Sequence, residues 1–256
     1  MHVPDAQNAN GACQLKTLAI VQARVGSTRL PGKVLAALGG ETVLSRVIRR
    51  VRRSALVQEI IVATTVSEKD DAIVAECARI QAQCFRGSEP DVLDRYYKCA
   101  KHCAADAVVR ITADCPLIDP ELVDRTVRAF LKNPSDYASN ALVPTYPRGL
   151  DVEVFTMAAL ARAWREATHS YEREHVTPYI YEHPELFRLV SVTADADYSQ
   201  YRWTLDTVED LELLRAIYAS FNNRADFGWR EVLRLMQREP QLAEINAHVM
   251  QKAVHA

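Results

Sequence analysis

A ten-residue loop near the start of the chain concentrates side chains that bind anions, and it contains no acidic residue. The loop reads RVGSTRLPGK, and its cations, glycines and hydroxyls are Arg24, Gly26, Ser27, Thr28, Arg29, Gly32 and Lys33. Glycines allow close backbone approach, and hydroxyl, guanidinium and ammonium groups donate hydrogen bonds to phosphate oxygens. The loop is therefore a candidate phosphate site, but a solvated basic loop paired with nearby carboxylates explains the same residues equally well.

The loop differs from the common phosphate-binding loop of nucleoside triphosphatases. That motif has four residues between its glycines and a lysine followed by serine or threonine. Here five residues separate Gly26 from Gly32, and Lys33 is followed by Val34. The loop comes directly after an apolar run, so we expect it at the carboxyl end of a strand, where unpaired backbone N–H groups can face an anion.

Two aspartates further along the chain lack a structural explanation in the sequence pattern. The stretch VVRITADC predicts a strand over 107–112 followed closely by Asp114, and QYRWTLD predicts a strand over 200–205 followed by Asp206. The next aspartate in each stretch is explained as a helix cap: these are Asp119, before Pro120, and Asp210, which pairs with Thr207. Taken singly, either remaining aspartate could be a turn residue or cap, but the same placement occurs twice.

If both strands lie beside the first strand in one parallel sheet, Asp114 and Asp206 meet at the edge that carries the basic loop. Two carboxylates that face a phosphate-binding loop suit Mg²⁺, which takes oxygen ligands and is usually completed by substrate phosphates and water. The sequence therefore predicts a magnesium site at Asp114 and Asp206, with the basic loop holding a polyphosphate.

Alternating strand and helix patterns in the first half of the chain position these residues. Apolar runs predict strands over 18–23, 59–65, 83–86 and 107–112, and amphipathic spacing predicts helices over about 43–54, 69–80 and 91–103. Such an alternation implies right-handed crossovers and a mainly parallel α/β sheet flanked by helices. Ligands of such sheets bind at the carboxyl ends of the strands.

The second half of the chain is less regular. It predicts an extended piece near 136–155, helices near 156–167 and 171–182, strands near 186–193 and 200–205, and helices to the end. The stretch NALVPTYPRGLDVEVF holds two prolines and a glycine, which indicates an insertion that leaves and re-enters the sheet. The run RVIRRVRR (46–53) predicts an amphipathic helix with a solvated basic face.

The composition excludes several classes of function. With 256 residues, 48% of them hydrophobic, and a formal net charge of −2, the chain offers no overall positive charge for nucleic acid or an anionic membrane. No stretch approaches the ~18 consecutive apolar residues of a membrane span, and residues 1–16 predict a loose polar tail on a cytoplasmic protein. Six cysteines without a CxxC pair argue against a zinc or redox site.

Six stretches of the sequence carry a family resemblance. They are QARVGSTRLPGKVL (22–35), RGSEPDVLDRY (86–96), RITADCPLIDP (110–120), YPRGLDVEVF (146–155), EREHVTPYI (172–180) and YRWTLDTVEDLELL (201–214). Together they resemble the cytidylyltransferases that activate sugar acids, the acylneuraminate and 3-deoxy-manno-octulosonate enzymes, and most of all the branch typified by the spore-coat polysaccharide protein SpsF. The resemblance implies a Rossmann-like domain of nucleotide-diphospho-sugar transferase type over 17–220, with an insertion over about 136–182, after a tail at 1–16 and before a C-terminal helical extension at 221–256.

The resemblance also implies an activity: Mg²⁺-dependent transfer of CMP from CTP to a sugar acid or related acceptor, with release of pyrophosphate, by a homodimer. The implied catalytic residues are Arg24, Arg29, Lys33 and Asp114, and the implied metal ligands are Asp114 and Asp206. The implied nucleotide-binding residues are Gln22, Ala23, Arg24, Gly26, Ser27, Arg29, Lys33, Arg86, Gly87 and Ser88. The implied acceptor-binding residues are Arg148, Asp151, Glu153, His175, Tyr179 and Arg202.

Some of these residues also have a structural explanation. Ser88, with Asp91 after it, would begin the next helix as a cap. A solvent-facing strand of alternating charge would explain Asp151 and Glu153, and a lone histidine such as His175 is commonly structural.

The sequence leaves three other functions open. The first is a nucleotidyltransferase of the same fold that uses another nucleoside triphosphate and a sugar phosphate. The second is a nucleotide-sugar glycosyltransferase with Asp195 and Asp197 as its metal pair, although a solvated turn explains these two residues better. The third is a non-catalytic nucleotide-binding protein of a polysaccharide pathway.

Overall fold

A sheet of seven strands lies at the centre of the part of the chain that the structure describes. The computed structural model covers residues 15–251, so Cys13 and nearly all of the predicted tail lie outside the described residues. The strands of the sheet are β1 (Thr17–Gln22), β4 (Glu59–Thr65), β5 (Gln83–Gly87), β6 (Ala107–Thr112), β7 (Tyr137–Ser139), β8 (Glu153–Thr156) and β9 (Leu189–Ser191), in the spatial order β5-β4-β1-β6-β8-β7-β9. A small separate hairpin pairs β2 (Ala37–Leu38) with β3 (Glu41–Thr42).

The sheet is mainly parallel, as the sequence predicts. β1 lies between β4 and β6 and pairs with both in parallel, and β5 extends the parallel set. β8 runs antiparallel between β6 and β7, and β9 pairs in parallel with β7. The strands predicted in the first half agree with the observed ones within one residue at each end, because central parallel strands are covered on both faces and are continuous apolar runs.

Helices cover both faces of the sheet. The buried cluster on one face includes residues of α1 (Val43–Val51), α2 (Asp71–Arg79), α4 (Pro120–Lys132), α8 (Val208–Ser220) and α9 (Trp229–Arg238). The cluster on the other face includes residues of α3 (Val92–His102), α5 (Met157–Glu166) and α7 (Pro178–Tyr181), and α6 (Ser170–His175) packs beside α3. The short α10 (Gln241–Glu244) follows α9. In the described residues no helix is long and apolar enough to cross a membrane.

The predicted insertion and extension are built into this architecture. Residues 136–182 supply β7 and β8 to the central sheet and α5, α6 and α7 to one of its faces. The helix predicted over 171–182 is two short helices, because Val176 has a left-handed backbone (φ +73°) and Pro178 begins α7. Beyond residue 221, α9 buries apolar side chains in the same cluster as α8.

The prediction of a strand over 200–205 is wrong. The segment forms one isolated bridge, to Arg148, and the backbone N–H of Leu205 donates to the carbonyl oxygen of Asp114 at 2.8 Å. Gly149 permits this crossing, since its φ is +101° and a Cβ atom there would lie 2.6 Å from the backbone of the crossing segment. The segment therefore crosses the carboxyl end of the sheet instead of extending the sheet.

The prediction of a solvated basic face over 46–53 is also wrong for two of its arginines. Arg46 and Arg50 are 1% and 0% exposed, whereas Arg49 lies at the surface. Their guanidinium groups donate to main-chain carbonyl oxygens, which are those of Leu38, Gly39, Asn223, Ile118, Ala225 and Phe227. Through these hydrogen bonds the two arginines attach α1 to the loop between α8 and α9.

Candidate active site at the carboxyl end of the sheet

The basic loop leaves the end of β1 and closes on its own backbone. The N–H groups of Ser27 and Gly32 donate to the carbonyl oxygen of Val25 at 2.7 and 3.0 Å. Gly32 has a φ of +72°, which favours glycine, and precedes a 3₁₀ turn over Lys33–Leu35. This turn directs Lys33 toward the centre of the sheet edge, while Arg24 lies in an exposed position at the start of the loop.

Lys33 brings the two predicted aspartates together. Its Nζ donates to Oδ2 of Asp114 at 2.6 Å, to Oδ1 of Asp206 at 2.7 Å and to the carbonyl oxygen of Leu205 at 2.8 Å. Burial by itself would lower the pKa of Lys33, but the two carboxylates outweigh it and raise the pKa above the ordinary 10.5. The side chain is therefore an ammonium ion at neutral pH, and it separates two carboxylates that would otherwise repel each other.

Asp206 is in contact with three cations. Besides Lys33, Arg29 reaches its Oδ2 through Nη2 at 2.8 Å, and Arg202 reaches the same oxygen at 2.7 Å. Burial would raise the pKa of Asp206, but these cations, Lys33 first among them, lower it below 3.8. Three of the predicted site residues thus surround a fourth, which gathers three side chains of the types that bind phosphate at one point of the sheet edge.

A buried network from the C-terminal part of the chain fixes Arg202. Asp210 accepts from Nε and Nη2 of Arg202, both at 3.0 Å, and from the backbone N–H of Asp206 at 2.8 Å. Asn246 donates through Nδ2 to Oδ1 of Asp210 at 2.8 Å and to the carbonyl oxygen of Arg202 at 3.0 Å. The position of the Asp206 carboxylate therefore depends on residues after α10 as well as on the basic loop.

The donor set fits a magnesium ion. Asp114 and Asp206 both contact the same ammonium nitrogen, so their oxygens lie close enough to share one cation. Among residues 15–251 no group of three or more His, Cys, Asp or Glu side chains could hold a metal. Mg²⁺ in phosphate-handling sites is typically held by one or two carboxylates, with phosphate oxygens and water completing its shell. Lys33 would have to leave the two carboxylates to admit it.

The residues predicted to contact the nucleoside lie on neighbouring strand ends. Gln22 ends β1, and its Oε1 is buried and has no hydrogen-bond partner within the described part of the chain. Ala23 continues the ladder with β4, and Gly87 ends β5, where a Cβ atom would lie 2.9 Å from an arginine side chain of α3. Arg86 donates to the carbonyl oxygens of Thr65, which ends β4, and of Ser67, and it pairs with an aspartate of α2 at 2.7 Å. Arg86 therefore holds the strand ends together.

The cap of α3 is Asp91 and not Ser88. Oδ1 of Asp91 accepts from the N–H of Asp94 at 2.8 Å, whereas the hydroxyl of Ser88 accepts from the N–H of Asp91 at 3.1 Å. The buried Arg95 donates through Nη1 to the carbonyl oxygen of Ser88 at 2.9 Å, and its Nε has no partner in the described residues. The 86–89 stretch is thus anchored on α3, and Oε1 of Glu89 lies 3.8 Å from the position of a Cβ atom at Gly26 of the basic loop.

Two of the predicted acceptor residues lie on either side of Gly149 in one loop. Arg148 is exposed and bridges to the crossing segment through its backbone. Oδ2 of Asp151 accepts from the N–H of Gly149 at 3.3 Å, and burial raises the pKa of Asp151. This loop lies beside the segment that leads to Asp206.

Two further acceptor residues lie on either side of the junction between α6 and α7. His175 ends α6 and is half-buried, and the preceding Glu174 reaches Arg24 of the basic loop at 3.6 Å. Tyr179 lies in the core of the other face, where its hydroxyl donates to Oε2 of Glu166 at 2.7 Å. The structure brings His175 to the loop and directs Tyr179 away from it.

Glu153 lies on β8 and does not face solvent. It is 7% exposed and forms an ion pair with Arg110 of β6. Its Oε1 accepts from the hydroxyls of Tyr137 at 2.6 Å and Thr177 at 2.5 Å. The explanation of Glu153 as part of a solvent-facing strand is therefore wrong, because the carboxylate is buried and paired inside the protein; its contact with an acceptor stays a prediction. The charged residue in the middle of the apolar stretch AVVRIT was the sequence signal of this buried pair.

Asp195 and Asp197 lie in the solvated turn that the sequence favours. Both are exposed; Asp195 pairs with Arg230 at 3.2 Å, and Asp197 accepts from the N–H of Ser199 at 2.9 Å. The turn gives no support for a glycosyltransferase metal pair.

Asp70 supports the basic loop and was missed by the sequence analysis. It is 2% exposed and ends a 3₁₀ turn (Glu68–Asp70) after β4. Its Oδ1 accepts from the N–H of Val25 at 2.7 Å, and its Oδ2 accepts from the hydroxyl and N–H of Thr65 at 2.5 and 3.3 Å. One buried carboxylate therefore joins the end of β4 to the first turn of the loop.

Replacement of Asp70 by asparagine is expected to loosen the loop. The amide offers one acceptor oxygen where the carboxylate offers two, so a donor of Val25 or Thr65 loses its partner. We expect the free energy of unfolding to fall by about 1–3 kcal/mol and, at the nucleotide site that the family resemblance implies, the affinity for CTP, measured by calorimetry, to fall about tenfold. Glu68→Gln changes an exposed carboxylate of the same turn and should match the wild type. Equal CTP affinity in the two variants would show that Asp70 does not support the loop.

The fold and the site together define a class of protein. A mainly parallel α/β sheet with cations and carboxylates at its carboxyl end is the arrangement of enzymes that bind nucleotides and act on their phosphates. The comparisons with known proteins narrow this class. Residues 18–238 match the family model for cytidylyltransferases.

Individual relatives agree with the family model. The spore coat polysaccharide biosynthesis protein SpsF of Bacillus subtilis is 39% identical over 88% of this chain and 96% of its own. The 3-deoxy-manno-octulosonate cytidylyltransferase of Polynucleobacter asymbioticus is 30% identical over 80% of this chain and 84% of its own. The structure of a cytidylyltransferase from Leptospira borgpetersenii superposes with a TM-score of 0.87 at 33% identity, over 93% of this chain and 99% of that one. The chain belongs to the cytidylyltransferase family and is a nucleotidyltransferase.

Proposed function

We propose that the protein transfers CMP from CTP to a hydroxyl group of a sugar acid or related acceptor and releases pyrophosphate, in the biosynthesis of a surface polysaccharide or glycoconjugate. The observation that carries the proposal is the position of Lys33, which ends the basic loop and contacts Asp114 and Asp206 in a cytidylyltransferase fold. The names of the relatives, one in spore-coat polysaccharide biosynthesis and one acting on 3-deoxy-manno-octulosonate, support the acceptor class.

The end of β1 supports a base with an amino group. Oε1 of Gln22 is a buried acceptor without a partner in the described residues, and a buried polar atom of this kind needs a donor. The exocyclic amine of cytosine is such a donor, whereas uracil has an oxygen at the same position. Gln22 therefore favours CTP over UTP.

The chemistry we assign to the side chains is positioning and charge stabilisation. The acceptor oxygen attacks the α-phosphorus in line; the bond to the bridging oxygen breaks, pyrophosphate leaves, and the proton of the hydroxyl passes to solvent. Arg24 and Arg29 bind the departing phosphates, and Lys33 stabilises charge that develops on the α-phosphate. Arg202 keeps the Asp206 carboxylate in place through the transfer. No covalent enzyme intermediate is required.

Magnesium has a defined place in this proposal. Asp114 and Asp206 would hold the ion, which would supply charge neutralisation at the triphosphate and lower the pKa of the acceptor hydroxyl. Binding would release Lys33 from the two carboxylates, and the freed ammonium would then be available to the phosphates. Lys33 would thus pair with the two aspartates before the nucleotide binds and with the phosphates afterwards.

A pyrophosphate-release assay over a matrix of nucleotides and acceptors tests the proposal. Each of four nucleoside triphosphates is combined with sugar acids, sugar phosphates and phosphonates in the presence of MgCl₂. We expect release with CTP and a sugar acid, and loss of that signal in Arg29→Ala and Asp114→Ala variants with unchanged melting temperatures. Background release in every combination would refute the proposal, and a preference for another triphosphate with a sugar phosphate would replace it by the alternative of the same fold.

We extend the proposal to a homodimer in the cytoplasm. The family resemblance implies the dimer, and the cytoplasm is where nucleoside triphosphates are available.

A further inference from the structure

A strained turn follows His175. Val176 has φ +73° and ψ −51°, and the N–H of Thr177 donates to the carbonyl oxygen of His175 at 2.9 Å. These values and this hydrogen bond define the classic γ-turn, which is rare and strained. In the described part of the chain Val176 is the one β-branched residue with a positive φ, and such a conformation persists only where the surroundings impose it.

Contacts on both sides of Val176 impose the turn. Its own side chain is 0% exposed and packs in the apolar cluster of the α3 face. Its N–H donates to the carbonyl oxygen of Glu172 at 3.1 Å, which ends α6. The next residue, Thr177, is also buried, and its hydroxyl donates to Oε1 of Glu153 at 2.5 Å. The chain is therefore held immediately before and after the strained residue.

The acceptor of the Thr177 hydroxyl is itself fixed by the sheet. Glu153 on β8 pairs with Arg110 on β6 and accepts from the hydroxyl of Tyr137 on β7 at 2.6 Å. These three strands are neighbours in the order β6-β8-β7. The turn is thus attached to the middle of the rigid sheet, although it belongs to a connection between two short helices.

The consequence of the turn is the position of His175. The preceding Glu174 reaches Arg24 of the basic loop at 3.6 Å, so the end of α6 lies beside the phosphate-binding side of the site. The charged groups that act on the imidazole are Glu174, Arg110, Arg24 and Glu153. Burial lowers the pKa of His175 below 6.5, which leaves the ring neutral at pH 7 and able to accept a hydrogen bond from a hydroxyl.

We propose that Glu153 and Thr177 are positioning residues that hold the strained turn at Val176, and that the turn fixes the imidazole of His175 at the acceptor side of the active site. The contact of His175 with an acceptor rests on the proposed function, whereas the positioning of its imidazole by the turn does not. In this proposal Glu153 affects acceptor binding because it holds the turn, and it does not itself contact the acceptor.

The first experiment compares glycine and alanine at position 176. Both variants remove the buried side chain equally, apart from one methyl group, but glycine accepts a positive φ without strain. At an ordinary position glycine is the less stable of the two, so we expect Val176→Gly to melt at the same temperature as Val176→Ala or above it. A melting temperature lower for glycine by its ordinary cost, about 1–4 °C or more, would show that the turn is not strained.

The second experiment follows His175 directly by NMR in the unliganded protein, with His175→Gln used to assign its resonance. Thr177→Val removes the hydroxyl with little change of shape, and Thr177→Ser retains it. We expect the pKa of His175 to rise toward 6.5 in the valine variant and to keep its wild-type value in the serine variant. If the valine variant does not fold, Thr177→Ala takes its place. An unchanged titration in a folded variant without the hydroxyl overturns the proposal.

The third experiment separates this proposal from the proposed function. With an acceptor found in the pyrophosphate assay, Thr177→Val should raise the KM for the acceptor about tenfold and leave the dissociation constant for CTP, measured by calorimetry, within twofold of the wild type. Thr177→Ser should restore the KM, and an equal loss of CTP binding would overturn the assignment to the acceptor side. If no acceptor turns over in the wild type, the proposed function fails while the melting and NMR results still decide the positioning.

Discussion

Replacement of Lys33 by alanine is expected to slow nucleotidyl transfer about 10²–10³-fold and to strengthen the binding of free Mg²⁺. The variant lacks the ammonium that contacts Asp114 and Asp206 at 2.6 and 2.7 Å, so a divalent cation at the proposed magnesium site would no longer compete with it for the two carboxylates. Loss of one preorganised donor to a transition-state oxygen costs about 10²–10³-fold in turnover. Pyrophosphate release measures the first effect, and the rise in melting temperature with MgCl₂ in the absence of nucleotide measures the second.

The control for Lys33→Ala is Lys69→Ala, which removes an exposed lysine from the turn beside the site. It should match the wild type in both measurements. An equal effect of MgCl₂ on Lys33→Ala and on the wild type would show that the ammonium does not occupy the position of the metal. Loss of transfer alone would then assign Lys33 to the phosphates and leave the two aspartates without a metal role.

Neutral pH is the right condition for this comparison, because both partners are then charged. The pKa of Lys33 is raised, so its contribution to stability is complete below about pH 10 and is lost as the pH rises through the raised value. The pKa of Asp206 is lowered, so its contribution is present above about pH 4 and is lost as the pH falls through the lowered value. Neither group titrates between these limits.

The fold of the first half could be predicted because its strands carry one unambiguous pattern. β1 reads TLAIVQ and has five fully buried residues in succession, which only a central strand covered on both faces explains. The helix starts were predictable for a similar reason, since Asp119 and Thr207 accept the N–H hydrogen bonds that their positions before α4 and α8 require. Local chemistry decided these elements without help from distant residues.

The pairing of Asp114 with Asp206 was predicted for a reason that is only half correct. Asp114 does follow a strand beside β1. Asp206 follows a segment that alternates like a strand but crosses the sheet edge, and it reaches the site because Gly149 lets the two backbones come close. A sequence pattern can show that a residue ends an extended segment, but it does not show which sheet the segment joins.

Residues that act through long-range hydrogen bonds could not be predicted from the sequence. Asp70 looks like any acidic residue at a helix start, yet its carboxylate holds Val25, 45 residues away. Asn246 lies in an unremarkable C-terminal stretch and is bonded to Arg202 and Asp210. Nothing local distinguishes such side chains from solvated ones, because their partners are set by tertiary packing.

The burial of two arginines of α1 could not be predicted for the same reason: their surroundings are set by tertiary packing. A basic residue on an amphipathic helix predicts a solvated face, but which face is solvated depends on what packs against the helix. In this protein the loop between α8 and α9 covers one side of α1. Its carbonyl oxygens of Ala225 and Phe227 accept from the fully buried Arg50, whose guanidinium lies 4.8 Å from the ring centre of Phe227.

Replacement of Arg50 by methionine is therefore expected to have the largest effect on stability. Methionine fills much of the space but donates no hydrogen bond, so the carbonyl oxygens of Ile118 and Phe227 lose the guanidinium that contacts them at 2.6 and 3.0 Å. The carbonyl oxygen of Ala225 also loses Arg50 but keeps its contact with Arg53 at 2.7 Å. We expect the free energy of unfolding to fall by about 3–5 kcal/mol and the melting temperature by about 10 °C. Arg49→Met changes the exposed neighbour, whose surface pair with Glu41 contributes about 0–1 kcal/mol. Similar melting temperatures for the two variants would show that the carbonyl oxygens find other donors.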